Sequence, residues 1–141
     1  MLKRIYLDSN VLISVLREEI GRDFRLLSVE AQDFFEYSEK NNCLLILSEL
    51  FFRELKTKLS LGRQSIKEYF SFLKINFEEI NFIENDFMKS KEIETKGIHF
   101  PDSLHVAIAL RVESDCIVTF NVKDFKRISN QIKVMGPKDF T

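Results

Sequence analysis

Tryptophan is absent from this chain of 141 residues, and glycine, proline, cysteine and histidine are scarce, at four, two, two and two. Few glycines and prolines leave little material for elaborate turns, so regular elements with short connections are expected. Two cysteines are too few for a disulfide framework or a zinc site. Cys43 and Cys116 each adjoin an apolar run and read as buried free thiols. His99 and His105 have no cysteine at zinc-finger spacing. A lone helical histidine is ordinarily a packing or surface residue, so neither is taken as catalytic. No apolar run approaches the roughly 20 residues that cross a bilayer. The stretch behind Lys3 and Arg4 breaks at Asp8, unlike a signal peptide. The expectation is a cytoplasmic protein with no membrane segment. An excess of charge is missing too: 21 basic residues face 22 acidic ones, for a net charge of −1. Binding nucleic acid through bulk charge is thereby excluded, and any such contact needs a local basic strip.

What is present is a globular composition, 45% hydrophobic and 30% charged, with 14 phenylalanines. The length fits a single domain over 1–141, and no repeat, low-complexity tract or linker interrupts it. Leu2 to Leu7 reads as a buried strand. Val11, Leu12, Val15, Leu16 and Ile20 then share a helical face, with Ser9 or Asn10 as N-cap. A helix is expected from about Val29 to Lys40, a strand over Leu44 to Leu47, and a helix over Glu49 to Leu59 capped by Ser48. Gly62 marks a break, and Arg63 to Lys74 is again helical. Phe77 to Phe82 holds a short strand, and Glu84 to Lys96 a helix closed by Gly97. Pro101 suits the first position of a helix that is apolar almost all round. Cys116 to Phe120 and Ile132 to Met135 supply the last strands. Alternation of strands and helices predicts an α/β fold, a three-layer α/β/α sandwich around a mostly parallel sheet.

The acids fall at telling places in this pattern. Asp8 ends the first strand in Ile5-Tyr6-Leu7-Asp8-Ser9-Asn10, where a parallel sheet opens its ligand crevice. The plain alternative is a capping aspartate. Asp102 starts the apolar helix in Phe100-Pro101-Asp102-Ser103-Leu104-His105, and an acid there is also favoured by the helix dipole. Glu54 lies on the helix after Ser48, where pairing with Lys58 is the plain alternative. Asp124 follows the strand that ends near Thr119 and Asn121. Carboxylates brought together this way form a divalent-cation cradle, because without a cation they repel one another.

These motifs resemble those of the PIN-domain nucleases, in particular the VapC-type toxin ribonucleases, and the likeness runs nearly from Met1 to Thr141. The resemblance implies metal-ligand roles for Asp8, Asp102 and an acid about six residues past Ser48. That spacing selects Glu54 over Glu49. Ser9 and Asn10 stand where a hydroxyl residue and an asparagine are typical. The chain departs from the pattern at Asn121, where many members carry a fourth acid. Asn121 would then hold a bound water while Asp124 ligates, or Asp124 is only a turn residue. Thr119 is a candidate for orienting water beside the metal. The implied cofactor is Mg²⁺ or Mn²⁺, one ion or two. The implied activity is endoribonucleolytic, as the toxin of a toxin–antitoxin pair, with RNA as substrate, an antitoxin protein as partner and a homodimer as the assembly. Arg53 and Lys56 would contact the RNA backbone, or belong with Lys58, Arg63 and Lys67 to a solvated helix face. Tyr69 and Phe70 would serve dimerisation or the core.

Two rival readings remain beside this one. A degenerate module of the same fold would bind RNA or a protein without cutting. A haloacid-dehalogenase-like phosphatase also places an aspartate after its first strand, but its chemistry wants a second acid where Asn10 stands.

Overall fold

A computed structural model describes residues 3–18 and 26–140. Five strands, β1 (Arg4–Leu7), β2 (Leu44–Ser48), β3 (Asn76–Ile80), β4 (Cys116–Val118) and β5 (Lys133–Met135), form one sheet in the order β3-β2-β1-β4-β5. Every pairing is parallel. The helices are α1 (Ser9–Leu16), α2 (Leu27–Lys40), α3 (Glu49–Leu59), α4 (Arg63–Phe72), α5 (Glu84–Glu94) and α6 (Asp102–Arg111). Two 3₁₀ helices cover Val122–Ile128 and Pro137–Phe140. The arrangement is the three-layer α/β/α sandwich that the alternating pattern predicts. No described helix is long and apolar enough to cross a membrane.

Strand periodicity explains why both faces of the sheet are covered. Ile5, Leu7, Leu45, Leu47, Cys116 and Val118 point to one face, packed by α1 to α4. Their alternates Tyr6, Ile46 and Ile117 point to the other, under α5 and α6. Central strands apolar on both sides are the signature of a buried parallel sheet. The edges are charged instead. On β3, Glu79 pairs with Arg63 and Lys67, and Glu78 pairs with Arg4, which discourages strand addition from outside.

The two cores differ in material. The α1–α4 side is aromatic: Phe35 and Phe51 pack on Phe70, and Phe34 on Phe140. Phe70 is fully buried and belongs to the core. The α5–α6 side is aliphatic and small. In α6, every residue from Ser103 to Ala109 is buried, which is why that helix has no polar face.

Element ends moved where side chains found other partners. Helix α1 begins at Ser9 with Asp8, rather than Ser9 or Asn10, in the N-cap position; Ile20 and Leu2 lie outside the described residues. Pro101 occupies the N-cap position of α6, not its first helical position. Strand β3 ends at Ile80, before Phe82, because the Phe82 N–H donates to the Glu49 carboxylate at 3.1 Å instead of extending the ladder. Gly97 follows α5 with φ of +91°, a backbone conformation that strains any residue with a Cβ, which is why glycine ends the turn.

Candidate metal centre

The strand order reverses direction at β1. The carboxyl end of that strand, flanked by β4 and the start of α6, is the natural crevice of an open parallel sheet. Asp8 stands there. Its backbone N–H donates to Val118 at 3.0 Å, which ties the end of β1 to β4. Although Asp8 holds the N-cap position of α1, its side chain makes no capping bond. Its Oδ2 accepts from the Thr119 hydroxyl at 2.7 Å. The plain capping role therefore fails, and a carboxylate only 6% exposed is turned into the crevice.

Neighbouring polar groups hold this geometry. Asn10 donates through Nδ2 to Thr119 Oγ1 at 3.2 Å and accepts from the Phe120 N–H. The Asn121 N–H also donates to Thr119 Oγ1, at 3.0 Å, while the Asn121 side chain is exposed. Thr119 thus accepts two donors and spends its own proton on Asp8.

Glu54 reaches the same crevice from α3. The Ser9 hydroxyl and His105 Nε2 both meet its Oε1 at 2.9 Å. Glu49, one turn earlier, is spent elsewhere: its two oxygens hold Arg53 and the Phe82 N–H. It takes no part in the cluster.

His105, against the expectation of a packing or surface residue, lies with Asp8 and Glu54 in the cluster. It is 1% exposed, and its Nε2 is 3.9 Å from Asp8 Oδ1. Its Nδ1 lies 2.6 Å from the Tyr6 hydroxyl, which donates in turn to Ser48 Oγ at 2.9 Å. Ser48 also caps α3 by accepting from the Phe51 N–H. A buried chain thus runs Ser48–Tyr6–His105–Glu54–Ser9. The Glu54 carboxylate can only accept, so the proton of that bond is carried on His105 Nε2. Burial pushes the imidazole pKa down, but the Glu54 bond and the charges of Asp8, Glu54 and Asp102 outweigh it and hold it above the ordinary value. Burial likewise pushes Glu54 up, yet His105, Ser9 and Lys58 bring it below the usual carboxylate range. The signal available in the sequence was spacing: His105 is three residues past Asp102 and shares its helical face.

Asp102 approaches from the first turn of α6, half-buried. Burial, then the Asp8 charge, raise its pKa from 3.8 to about 6; Asp124 and Glu54 add to this and His105 opposes it. Asp124 is exposed, in the first turn of the 3₁₀ helix Val122–Ile128, close enough for Asp102 to feel its charge. It sits at the rim, apart from the group formed by Asp8, Glu54 and His105, whose candidate ligand atoms all lie within 4.8 Å of one another. Arg53 is exposed but engaged, 2.8 Å from Glu49 and stacked over Phe82. Lys56 is exposed on the same helix.

The donor set suits a hard divalent cation. Oxygen ligands dominate, and Asp102, raised by burial and then by the Asp8 charge, would be ionised more readily beside a cation. The imidazole is already committed to Glu54 and Tyr6, as a histidine that orients a ligand rather than one that must bind directly.

The PIN domain family model matches residues 5–131. Among solved structures, a toxin–antitoxin complex from Klebsiella pneumoniae shares 22% identity over 94% of this chain and 97% of that one, with a TM-score of 0.64. VapBC2 from Rickettsia felis, bound to a DNA fragment from their promoter, matches equally at 22% identity and TM-score 0.64, over 94% and 98% of the two chains. No curated protein sequence matches the chain.

Proposed function

The chain belongs to the PIN domain family, and from that premise we propose that it is a metal-dependent endoribonuclease, the toxin of a type II toxin–antitoxin pair. The observation that carries the reading is the meeting of Asp8 and Glu54 with His105 at one crevice, their candidate ligand atoms all within 4.8 Å of one another. Asp102 stands outside that group but near enough to feel the charge of both acids. Burial first, and then the charge of Asp8, push the Asp102 carboxyl up to about 6, so an added cation would favour its ionised form.

Asp8, Glu54 and Asp102 would hold Mg²⁺ or Mn²⁺, with Asp124 completing the set from the rim. When bound, the ion supplies Lewis acidity toward a phosphodiester oxygen and lowers the pKa of a water. The protein's own part is positioning. Thr119 fixes one oxygen of Asp8 and leaves the other toward the crevice. Ser9 and His105 share one oxygen of Glu54 and leave its partner open. Asn10 holds Thr119 and the backbone of Phe120, so the β4 turn cannot drift away from Asp8. Asn121 braces the same hydroxyl from the other side.

RNA would lie over this edge, with Lys56 and Arg53 offering backbone contacts from α3. An antitoxin partner is supported by the complexes in which the structural neighbours occur. A homodimer and a cytoplasmic location complete the proposal. The phosphatase alternative loses its footing at Asn10, whose amide bridges Thr119 and Phe120 where that chemistry needs a second acid.

The test is incubation of labelled RNA with the protein in Mg²⁺, Mn²⁺ or EDTA. Cleavage that requires metal and disappears in Asp8→Asn is the expected result. Binding of RNA without cleavage in any metal would return the chain to the degenerate, non-cutting reading.

A further inference from the structure

The same edge of the sheet carries a second feature that the carboxylates do not use. A cavity of ≈470 Å³ opens between the turn after β4 and the turn after β5, walled by residues 119–124 and 136–139. Thr119 belongs to both places: its hydroxyl donates to Asp8, and the residue lines the cavity. The cavity therefore begins one side chain away from the proposed cutting site.

We propose that this cavity receives an unpaired nucleobase of the RNA strand, next to the phosphate held at Asp8. The inference rests on the nuclease reading and adds to it a place where sequence is read. Its volume is within the range of small-ligand pockets. Phe120, Val122 and Pro137 give it apolar surface, and flipped-out RNA bases bind by stacking on such surfaces. Asn121 and Asp124 are exposed at its mouth. The Asn121 amide, which both donates and accepts, suits the edge of a base better than a phosphate, while Asp124 is left to the cation. Lys123 and Lys138 are exposed on the same rim, where flanking phosphates would pass. Asp139 has another task, since its Oδ2 accepts the Gly136 N–H at 2.9 Å and closes the turn. With a net charge of −1, the chain cannot hold RNA by bulk attraction, so register must come from local contacts of this kind.

Gly136 offers a clean probe. A Cβ built there would meet Asp139, Thr119 and Val122 at 3.7, 3.9 and 3.9 Å. Alanine therefore narrows the cavity without a clash. The experiment measures kcat and KM on single-stranded RNA carrying an abasic site at each position around the cut, for wild type, Gly136→Ala and Lys123→Ala. Lys126→Ala, outside the cavity, is the control. One abasic position is expected to raise KM about tenfold in the wild type. Gly136→Ala should raise KM on intact RNA with kcat preserved, and should lose most of the abasic penalty, because the base no longer seats. Wild-type cleavage that is indifferent to every abasic position, or a full penalty surviving in Gly136→Ala, overturns the cavity while leaving the nuclease standing. Failure of the wild type to cut any RNA in Mg²⁺ or Mn²⁺ removes the nuclease reading, and the cavity's role falls with it.

Discussion

Two acids are buried in this protein for opposite purposes. Asp86 on α5 is 1% exposed. Its oxygens take the Arg111 guanidinium of α6 at 2.7 and 3.1 Å, and the Ile83 N–H at 2.9 Å. Arg111 also donates to the Asn81 carbonyl. Asp8 is nearly as buried, at 6%, yet its side chain accepts from a neutral hydroxyl and lies beside Glu54, close enough to raise Asp102 through its charge. Arg111 compensates Asp86 fully, so that acid clamps α5 to α6. Around Asp8 compensation is partial, and His105 supplies it at 3.9 Å. Buried charge with a complete set of partners is structural. Buried charge left partly unpaired in a crevice marks a place where something else is to bind.

Substitution at each acid should therefore have opposite signatures. Asp8→Asn is expected to lower RNA cleavage by orders of magnitude while the protein melts at or above the wild-type temperature in EDTA, because a repelling charge is gone. Asp102→Asn should abolish activity to a similar extent, since groups acting as one unit are not additive. Cleavage at the wild-type rate in either variant would break the comparison. Asp86→Asn should do the reverse. Loss of the clamp leaves Arg111 without its carboxylate and should cost about 3 kcal/mol, roughly a 10 °C fall in melting temperature. Activity per folded molecule should stay close to wild type.

His105 sharpens the comparison, because it stands between the two cases. If it orients Glu54, His105→Gln should weaken Mn²⁺ binding about 10- to 100-fold, read by calorimetry, with the helices intact by circular dichroism. Unchanged Mn²⁺ affinity would make it a packing residue only.

The smallest effect is a pH dependence in EDTA. Asp102 binds its proton more tightly in the folded protein, with its pKa raised from 3.8 to about 6. Ionising it therefore costs stability as pH climbs through that interval. His105, raised above its ordinary value, also contributes stability that is lost as pH rises, but at higher pH. Glu54, lowered, loses its contribution as pH falls. Subtracting melts of Asp102→Asn from those of wild type isolates the first of these. The variant should gain on wild type between about pH 4 and 6, by about 3 °C given screening at a half-exposed group. A difference constant with pH would show that neither burial nor the neighbouring charges hold the Asp102 carboxyl up.

Local chemistry was enough to place most of the scaffold from the order of residues alone. Runs such as Leu44 to Leu47 are buried on both faces and admit little but a central strand. Ser48 caps the helix behind it, and Gly97 ends the one before α6, for reasons written into those residues and their immediate neighbours. Asp8 and Asp102 could also be singled out, because a strand end and a helix start meet at one edge of a parallel sheet, whereas Glu54 was selected over Glu49 only by the spacing that the family resemblance implies. Tertiary structure alone decided which polar groups meet there. That His105 joins Tyr6 to Glu54, that Glu49 takes the Phe82 N–H, and that Thr119 rather than a backbone N–H holds Asp8 all depend on residues 33 to 111 positions apart. Periodicity tells which face of a helix is buried but carries no information about the partner it meets. A hydrogen bond needs its two atoms within about 3 Å, and only the packed layers bring them that close.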